Sequence, residues 1–188
     1  IYNYVEVNLV RRGIELGDKV VTNTIIKEVN PDYVSYSSYD ATNPPKTEQE
    51  LHVSLNESLD YIESHLQPKK GLPAGKRVWI GEYGSPFIRY GEKIQNERAK
   101  WVINAGLKWN APFILFWEMY NNEIKKETGE QVGFWMIDDK GRKQEIWHTH
   151  NKFYKDSKRF LKQYFKENKK MPSLSVFQDK ALNFSSLN

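Results

Sequence analysis

The segment Arg77-Val78-Trp79-Ile80-Gly81-Glu82-Tyr83-Gly84 combines an apolar run with a carboxylate near its end. Short runs rich in valine, isoleucine and aromatic residues are typical of buried β-strands. A strand is therefore predicted over residues 77–84, with Glu82 at its carboxyl end. Because side chains alternate along a strand, regular alternation would place Val78, Ile80 and Glu82 on one face. The sequence thus predicts a row of core residues that finishes in a charge.

Three further segments have the composition of strands, and a helical pattern follows each of the four. The other predicted strands cover residues 4–10, 33–39 and 113–117. The predicted helices cover residues 18–29, 47–67, about 96–109 and about 146–164. Strands that alternate with helices predict a parallel sheet, because parallel neighbours need long crossover connections. The fold class predicted from this pattern is therefore α/β.

The helix over residues 47–67 has the clearest sequence pattern. Thr47 and Glu50 have the spacing of a capping box, in which each side chain satisfies a free backbone N–H near the other. Apolar residues then recur every three or four positions, which predicts one buried stripe along the helix. These residues are Leu51, Leu55, Leu59, Ile62 and Leu66.

The spacing of the strands is compatible with two architectures. The predicted strands begin at residues 4, 33, 78 and 113, which gives about 36 residues per strand–helix unit. A (β/α)8 barrel of ~250 residues has ~31 per unit, so a barrel with long loops fits. A four-stranded, doubly wound sheet of the flavodoxin type fits the count equally well. The chain is too short for a complete barrel at this spacing.

Composition excludes several classes of function. The chain has 188 residues, no cysteine and a net charge of +4, so disulfides, thiolate metal sites and cysteine nucleophiles are excluded. No apolar run approaches the ~18 residues that a membrane span needs. No zinc finger, RNP-type strand or glycine-rich phosphate loop points to nucleic acid. Aromatic residues number 26, which indicates either a large core or a cleft that stacks sugar rings.

The strands and one loop resemble segments of the clan A glycoside hydrolases, (β/α)8 enzymes that cleave glycosidic bonds with retention. Residues 78–84 resemble their seventh strand, which commonly ends in Gly-Glu-Tyr/Phe-Gly and carries the nucleophile, here Glu82. Residues 113–117 resemble the eighth strand, whose terminal tryptophan lines the sugar site, here Trp117. Residues 133–143 resemble the hairpin that follows that strand.

Residues 34–39 resemble the sixth strand of these enzymes, in which an aromatic residue or a histidine supports the nucleophile; that residue is Tyr39 here. The resemblance implies that residues 1–170 are the carboxyl-terminal half of a TIM barrel, strands five to eight, followed by an irregular tail over 171–188. Since Ile1 is not a methionine and no signal peptide precedes it, the chain is expected to be a piece or a processed product. An amino-terminal half-barrel or a second chain is expected to complete the ring.

The resemblance implies a retaining glycosidase that hydrolyses O-glycosyl bonds of a glycoside or polysaccharide, without a metal or an organic cofactor. This class of function favours a secreted or periplasmic location. The acid/base glutamate of the clan follows an asparagine at the end of strand four, which is not in this chain. Asn56-Glu57 cannot replace it, because the dipeptide lies in the helix over 47–67 and off its apolar stripe.

Other residues are predicted to support the site. Glu6 and Asn8 alternate with Val5 and Val7, so both polar side chains would point into the barrel if the valines meet the helices. Three roles stay open for Glu6: it binds substrate or supports Glu82, it is the acid/base within this chain, or it is a buried residue with a structural hydrogen-bonding role. With Tyr39, Trp117 and Tyr83, these residues are expected to line the sugar site.

Two other readings of the sequence stay open. One is a carbohydrate-binding or inactive barrel fragment, and the other is a small doubly wound domain in which Glu82 has a structural role. His148 and His150 do not form a predicted metal pair, because helical positions two residues apart diverge by about 200°. No metal site is expected.

Overall fold

The computed structural model describes residues 2–187, which form two compact units. The sheet unit contains the residues up to Ser85 together with Ala111–Trp117. The helical unit contains Pro86–Asn110 and the residues from Glu118 onward. Every predicted site residue belongs to the sheet unit.

The sheet unit contains one four-stranded parallel sheet. Its strands are β1 (Tyr4–Val7), β2 (Tyr33–Ser37), β3 (Val78–Tyr83) and β4 (Ile114–Phe116). They lie side by side in sequence order, and every neighbouring pair is parallel. The prediction of an α/β fold with a parallel sheet is confirmed. The strand order contains no reversal, whereas a doubly wound sheet reverses its order at the switch point.

Five helices accompany the sheet within the same unit. They are α1 (Val10–Leu16), α2 (Val21–Thr24), α3 (Ile26–Val29), α4 (Tyr39–Thr42) and α5 (Glu48–Ser64). The predicted helix over 18–29 is wrong in detail, since α2 and α3 are separated at Ile25. A run of β-branched residues fills this segment and lowers its helix propensity.

Helix α1 was not among the predicted helices, and glycine normally lowers helix propensity. Gly13 instead lies inside α1, where a Cβ atom would come within 2.7 Å of Val20 Cγ2. The glycine therefore permits close packing between α1 and the segment that follows it. The helix ends at Gly17, whose φ of 68° is the left-handed conformation that glycine adopts without strain.

Helix α5 confirms the clearest prediction. Thr47 Oγ1 accepts a hydrogen bond from the Glu50 backbone N–H at 3.2 Å, and Glu50 Oε2 accepts one from the Thr47 N–H at 3.3 Å. The capping box therefore starts the helix as expected. The apolar stripe is fully buried at Leu51, Leu55, Leu59 and Ile62.

The helical unit contains α6 (Phe87–Trp109), α7 (Glu145–Asn168) and α8 (Leu174–Ala181). Helix α6 begins earlier than predicted and is kinked at Gly91, whose φ is 74°. The prediction of an irregular tail over 171–188 is wrong at α8. This helix is capped by Ser173, whose Oγ accepts a hydrogen bond from Val176 N–H, and its short length leaves little periodicity to detect. Among the helices of residues 2–187, none is sufficiently long and apolar to cross a membrane.

The two faces of the sheet differ in exposure. Val7, Tyr36, Ile80 and Ile114 are register partners on one face, and the first three are buried. The opposite face, called here the open face, leaves large apolar and aromatic side chains in contact with solvent. Its most exposed members are Tyr4 (62% exposed), Phe113 (58%), Leu115 (50%) and Trp117 (37%).

Candidate active site

A β-bulge in β3 determines where the Glu82 side chain points. Tyr36 of β2 pairs with Ile80, and the next β2 residue, Ser37, pairs with Glu82, so Gly81 is the extra residue. The bulge places Glu82 on the open face with Ser37. The expectation that Glu82 shares a face with Val78 and Ile80 is therefore wrong, because regular alternation fails at the bulge.

Gly81 is the residue that this bulge requires. A Cβ atom at position 81 would overlap Ser35 Oγ and would lie 3.1 Å from Ser35 Cβ. Any larger residue would push against the neighbouring strand. The close approach of Ser35 thus explains why a glycine precedes Glu82 in the sequence.

Two hydroxyl groups from the segment after β2 fix Glu82. Tyr39 Oη donates a hydrogen bond to Glu82 Oε2 at 3.1 Å. The backbone oxygen of Glu82 accepts from Ser38 N at 2.8 Å and from Ser38 Oγ at 2.9 Å. The prediction that Tyr39 could hydrogen-bond Glu82 is confirmed, and the adjacent serine holds the backbone that carries the carboxylate.

Glu6 lies beside this group on β1. Ser37 Oγ donates to Glu6 Oε1 at 2.7 Å, and Ser37 is the register partner of Glu82. The negative charge of Glu6 also raises the pKa of Glu82. The structure therefore brings together two carboxylates from non-adjacent strands. Sequence reasoning gave Ser37 no role, although its alternation with Ser35 on one face of β2 was a usable signal.

The surroundings of Glu82 favour its protonated form. Burial raises the pKa of the Glu82 carboxyl, the hydrogen bond from Tyr39 lowers it, and the negative charge of Glu6 raises it again. The net shift of the pKa is upward. Within residues 2–187, no lysine, arginine or histidine nitrogen lies within 4.0 Å of the Glu82 carboxylate. A structural role for Glu82 as a salt-bridge partner thus lacks a cation in this part of the chain.

The structure also places Trp117 at the carboxyl ends of the strands, near Glu82 along the sheet. Its backbone N–H donates to the carbonyl of Tyr83 at 2.8 Å, so Trp117 follows β4 directly beside the end of β3. Its side chain is partly exposed. Asn8 directly follows the carboxyl end of β1 and is also exposed.

Tyr83 does not join this group of side chains. It is only 2% exposed, and its ring contacts the Phe116 ring edge-on at a centroid distance of 5.4 Å. Burial raises the pKa of Tyr83 far above its usual range. The structure therefore places Tyr83, which was expected to line the sugar site, on the opposite face of the sheet from Glu82, because the bulge turns Glu82 to the open face.

The residues excluded by sequence reasoning lie elsewhere. Asn56 and Glu57 are on α5, where Glu57 Oε2 accepts from Arg11 Nη1 at 2.8 Å. His150 is on α7, and its Nδ1 lies 2.7 Å from the Ile146 carbonyl oxygen. Across residues 2–187, no cluster of three or more acidic or histidine side chains has the geometry to hold a metal ion.

Comparisons of the chain with protein-family models, with curated proteins and with solved structures found no match. The assignment of a function therefore depends on the geometry of the site and on the sequence motifs.

Proposed function

We propose that this chain is the carboxyl-terminal half of a (β/α)8 barrel from a retaining glycoside hydrolase, with Glu82 as the nucleophile. The observation that carries the proposal is the setting of Glu82. It lies at the carboxyl end of a parallel strand, accepts a hydrogen bond from Tyr39, and has a second carboxylate rather than a cation beside it. Active sites of parallel barrels are formed at this end of the strands.

The sheet supports the barrel part of the proposal. Sequential parallel strands are the order found in a closed (β/α)8 ring. Within residues 2–187, β1 and β4 are the two outer strands of the sheet, and outer strands present backbone hydrogen-bonding groups to which further strands can add. The open face also exposes aromatic side chains that the interior of a complete barrel would bury. Four more strands would satisfy the edges and cover this face.

The chemistry of the site follows from its residues. Ionised Glu82 would attack the anomeric carbon of the sugar and form a covalent glycosyl–enzyme, while the leaving oxygen accepts a proton from a second carboxylic acid. Water would then hydrolyse the glycosyl bond and restore Glu82. Tyr39 would orient the carboxylate through its hydrogen bond, and Trp117 would stack against the apolar face of a sugar ring.

The acid/base residue is proposed to come from the completing half of the barrel. Glu6 accepts a hydrogen bond from Ser37, and its negative charge raises the pKa of Glu82. We therefore assign Glu6 a supporting role and not the role of proton donor to the leaving group.

Activated aryl glycosides test this proposal, because a dinitrophenolate leaves without needing a proton. We expect slow release of dinitrophenolate by the chain and a loss of at least about 100-fold in Glu82→Gln. In Glu82→Ala, azide should restore release and give a glycosyl azide of inverted configuration. Glu167→Gln, an isosteric change on the exposed surface of α7, is the matched control. Equal rates in Glu82→Gln and Glu167→Gln would refute the assignment.

The exposed Trp117 also favours a second function, carbohydrate binding without turnover. A binding module would retain its affinity for oligosaccharides in Glu82→Gln, would lose it in Trp117→Ala, and would release no dinitrophenolate.

A further inference from the structure

One hydroxyl hydrogen lies between two acidic side chains at the rim of the sheet. Ser37 donates its O–H to Glu6 Oε1 at 2.7 Å and is also the register partner of Glu82. A serine hydroxyl has one hydrogen, so it can serve only one carboxylate at a time. Tyr39 supplies a separate donor to Glu82. Glu6 on β1, Ser37 on β2 and Glu82 on β3 therefore form a connected group of side chains.

Two neighbouring carboxylates need a proton to interact favourably. When both are ionised, each is only an acceptor of hydrogen bonds, and the two negative charges repel. When one proton is bound, it can bridge the two oxygens, and the pair titrates as a unit. The upward shift of the pKa of Glu82, caused by burial and by Glu6, agrees with this arrangement.

We propose that Glu6, held by Ser37, is a positioning residue that controls the orientation and the protonation of Glu82. The catalytic part of this inference rests on the proposed function. At acidic pH, one proton bridges Glu6 and Glu82 and blocks nucleophilic attack. As pH rises, that proton leaves to solvent, exposed Glu6 keeps the Ser37 hydroxyl, and Glu82 is left ionised with Tyr39 as its donor.

Few other polar or charged groups near Glu6 and Glu82 act on the protonation of Glu82. The polar groups that face Glu82 are Glu6 from β1, Ser37 from β2 and the Tyr39 hydroxyl from α4. In the described part of the chain, neither Glu6 nor Glu82 has an ion-pair partner within 4.0 Å. The charge nearest to Glu82 is thus the negative charge of Glu6.

Carbon-13 NMR of the glutamate side-chain carboxyls tests the proposal on the whole chain. The Glu82 signal, identified by its loss in Glu82→Gln, is followed between about pH 3 and pH 8. In Glu6→Gln, the midpoint of the Glu82 titration should fall by about one pH unit or more, because a neighbouring negative charge is removed. In Ser37→Ala, the Glu6 carboxylate loses its hydrogen-bond donor, so the pair should hold its shared proton to higher pH and the Glu82 midpoint should rise.

Glu28→Gln is the matched control, since Glu28 is exposed on α3. It should leave the Glu82 midpoint unchanged. A Glu82 midpoint that stays in place or rises in Glu6→Gln overturns the proposal. If Glu6→Gln fails to fold, the Ser37→Ala variant decides: a Glu82 midpoint that is unchanged or lower in this variant also overturns the proposal.

A kinetic measurement separates this inference from the proposed function. The acid limb of kcat/KM for a dinitrophenyl glycoside should move with the Glu82 midpoint in each variant. Midpoints that shift without a shift of the limb would leave the Glu6–Glu82 coupling standing and would remove Glu82 as the nucleophile. Midpoints that do not shift would overturn the coupling, whatever the activity.

Discussion

Tyr39 is the hydroxyl donor that favours the ionised form of Glu82. Replacement of Tyr39 by phenylalanine removes this hydrogen bond, so the pKa of Glu82 should rise further and the acid limb of kcat/KM should move to higher pH. A hydrogen bond to a charged group contributes ~1.5 kcal/mol or more, which corresponds to about a 10-fold loss in kcat/KM. The pH profile measures both effects.

Tyr154→Phe provides the control for Tyr39→Phe, because Tyr154 is an exposed tyrosine on α7. It should leave the profile unchanged. A Tyr39→Phe variant with the parent profile would contradict the role given to this hydroxyl.

Glu82 should also lower stability at neutral pH. Its folded-state pKa is raised, so the stability that its protonated form contributes is present below the pKa of the unfolded chain and is lost as pH rises through the folded pKa. Glu82→Gln should therefore raise the free energy of unfolding at pH ~7, by less than about 1 kcal/mol because the site is partly solvated. Urea denaturation at about pH 7 and pH 4 measures this difference, which should shrink at the lower pH. A loss of stability at pH ~7 would show that the ionised carboxylate is held by favourable contacts.

At the residue scale, the sequence predicted the position of Glu82 and Tyr39 along the strands better than the face on which they lie. Both positions were predictable because each is at the carboxyl end of an apolar strand, where parallel sheets place polar groups. The face on which Glu82 lies and the burial of Tyr83 could not be predicted, since both depend on a bulge that is defined by the pairing of β3 with β2. Ser37 acquires its role only when β1 and β3 lie on either side of it.

The bulge in β3 is the element on which the site depends. Gly81→Ala should destabilise the fold by about 1–3 kcal/mol, because the new methyl group overlaps Ser35 Oγ. Ser35→Ala should relieve part of this cost when combined with Gly81→Ala, since Ser35 Cβ stays close. A double-mutant cycle by urea denaturation measures the coupling between the two positions. Strictly additive effects would contradict the close approach of β2 and β3 at this point.

The helices show which local sequence signals are sufficient to predict an element. Helix α5 was predictable because Thr47 and Glu50 define its start within the sequence itself. Helix α1 was missed because the function of Gly13 depends on contact with Val20, which only the folded chain reveals. Helix α8 is short, and eight residues give too few turns for a periodic signal to be recognised.

The open face has consequences for the whole molecule. Exposed apolar side chains and the two outer strands of the described sheet favour association, so the chain alone should self-associate as its concentration rises. Sedimentation velocity measures this, and Leu115→Lys on the open face should reduce it. Leu16→Lys, at a more exposed leucine on α1, is the control. A stable monomer of 22 kDa at all concentrations would count against a missing barrel half.

The sequence predicted the parallel sheet because strands that alternate with helices allow few other arrangements. The number of residues per unit did not distinguish a ring from an open, doubly wound sheet. The order β1-β2-β3-β4 could not be predicted either, because it depends on pairing between distant segments. The division into two compact units was not predicted either, because it reflects contacts between segments far apart in the chain.

The central claim, that Glu82 forms a bond to the anomeric carbon, is tested most directly by trapping that bond. A dinitrophenyl 2-deoxy-2-fluoroglycoside needs no acid catalyst and slows the release of the sugar from the enzyme. Mass spectrometry of the digested protein should then show one fluoroglycosyl group, on the peptide that contains Glu82, and none in Glu82→Gln. A label on another carboxylate, or equal labelling of Glu82→Gln, would contradict the account.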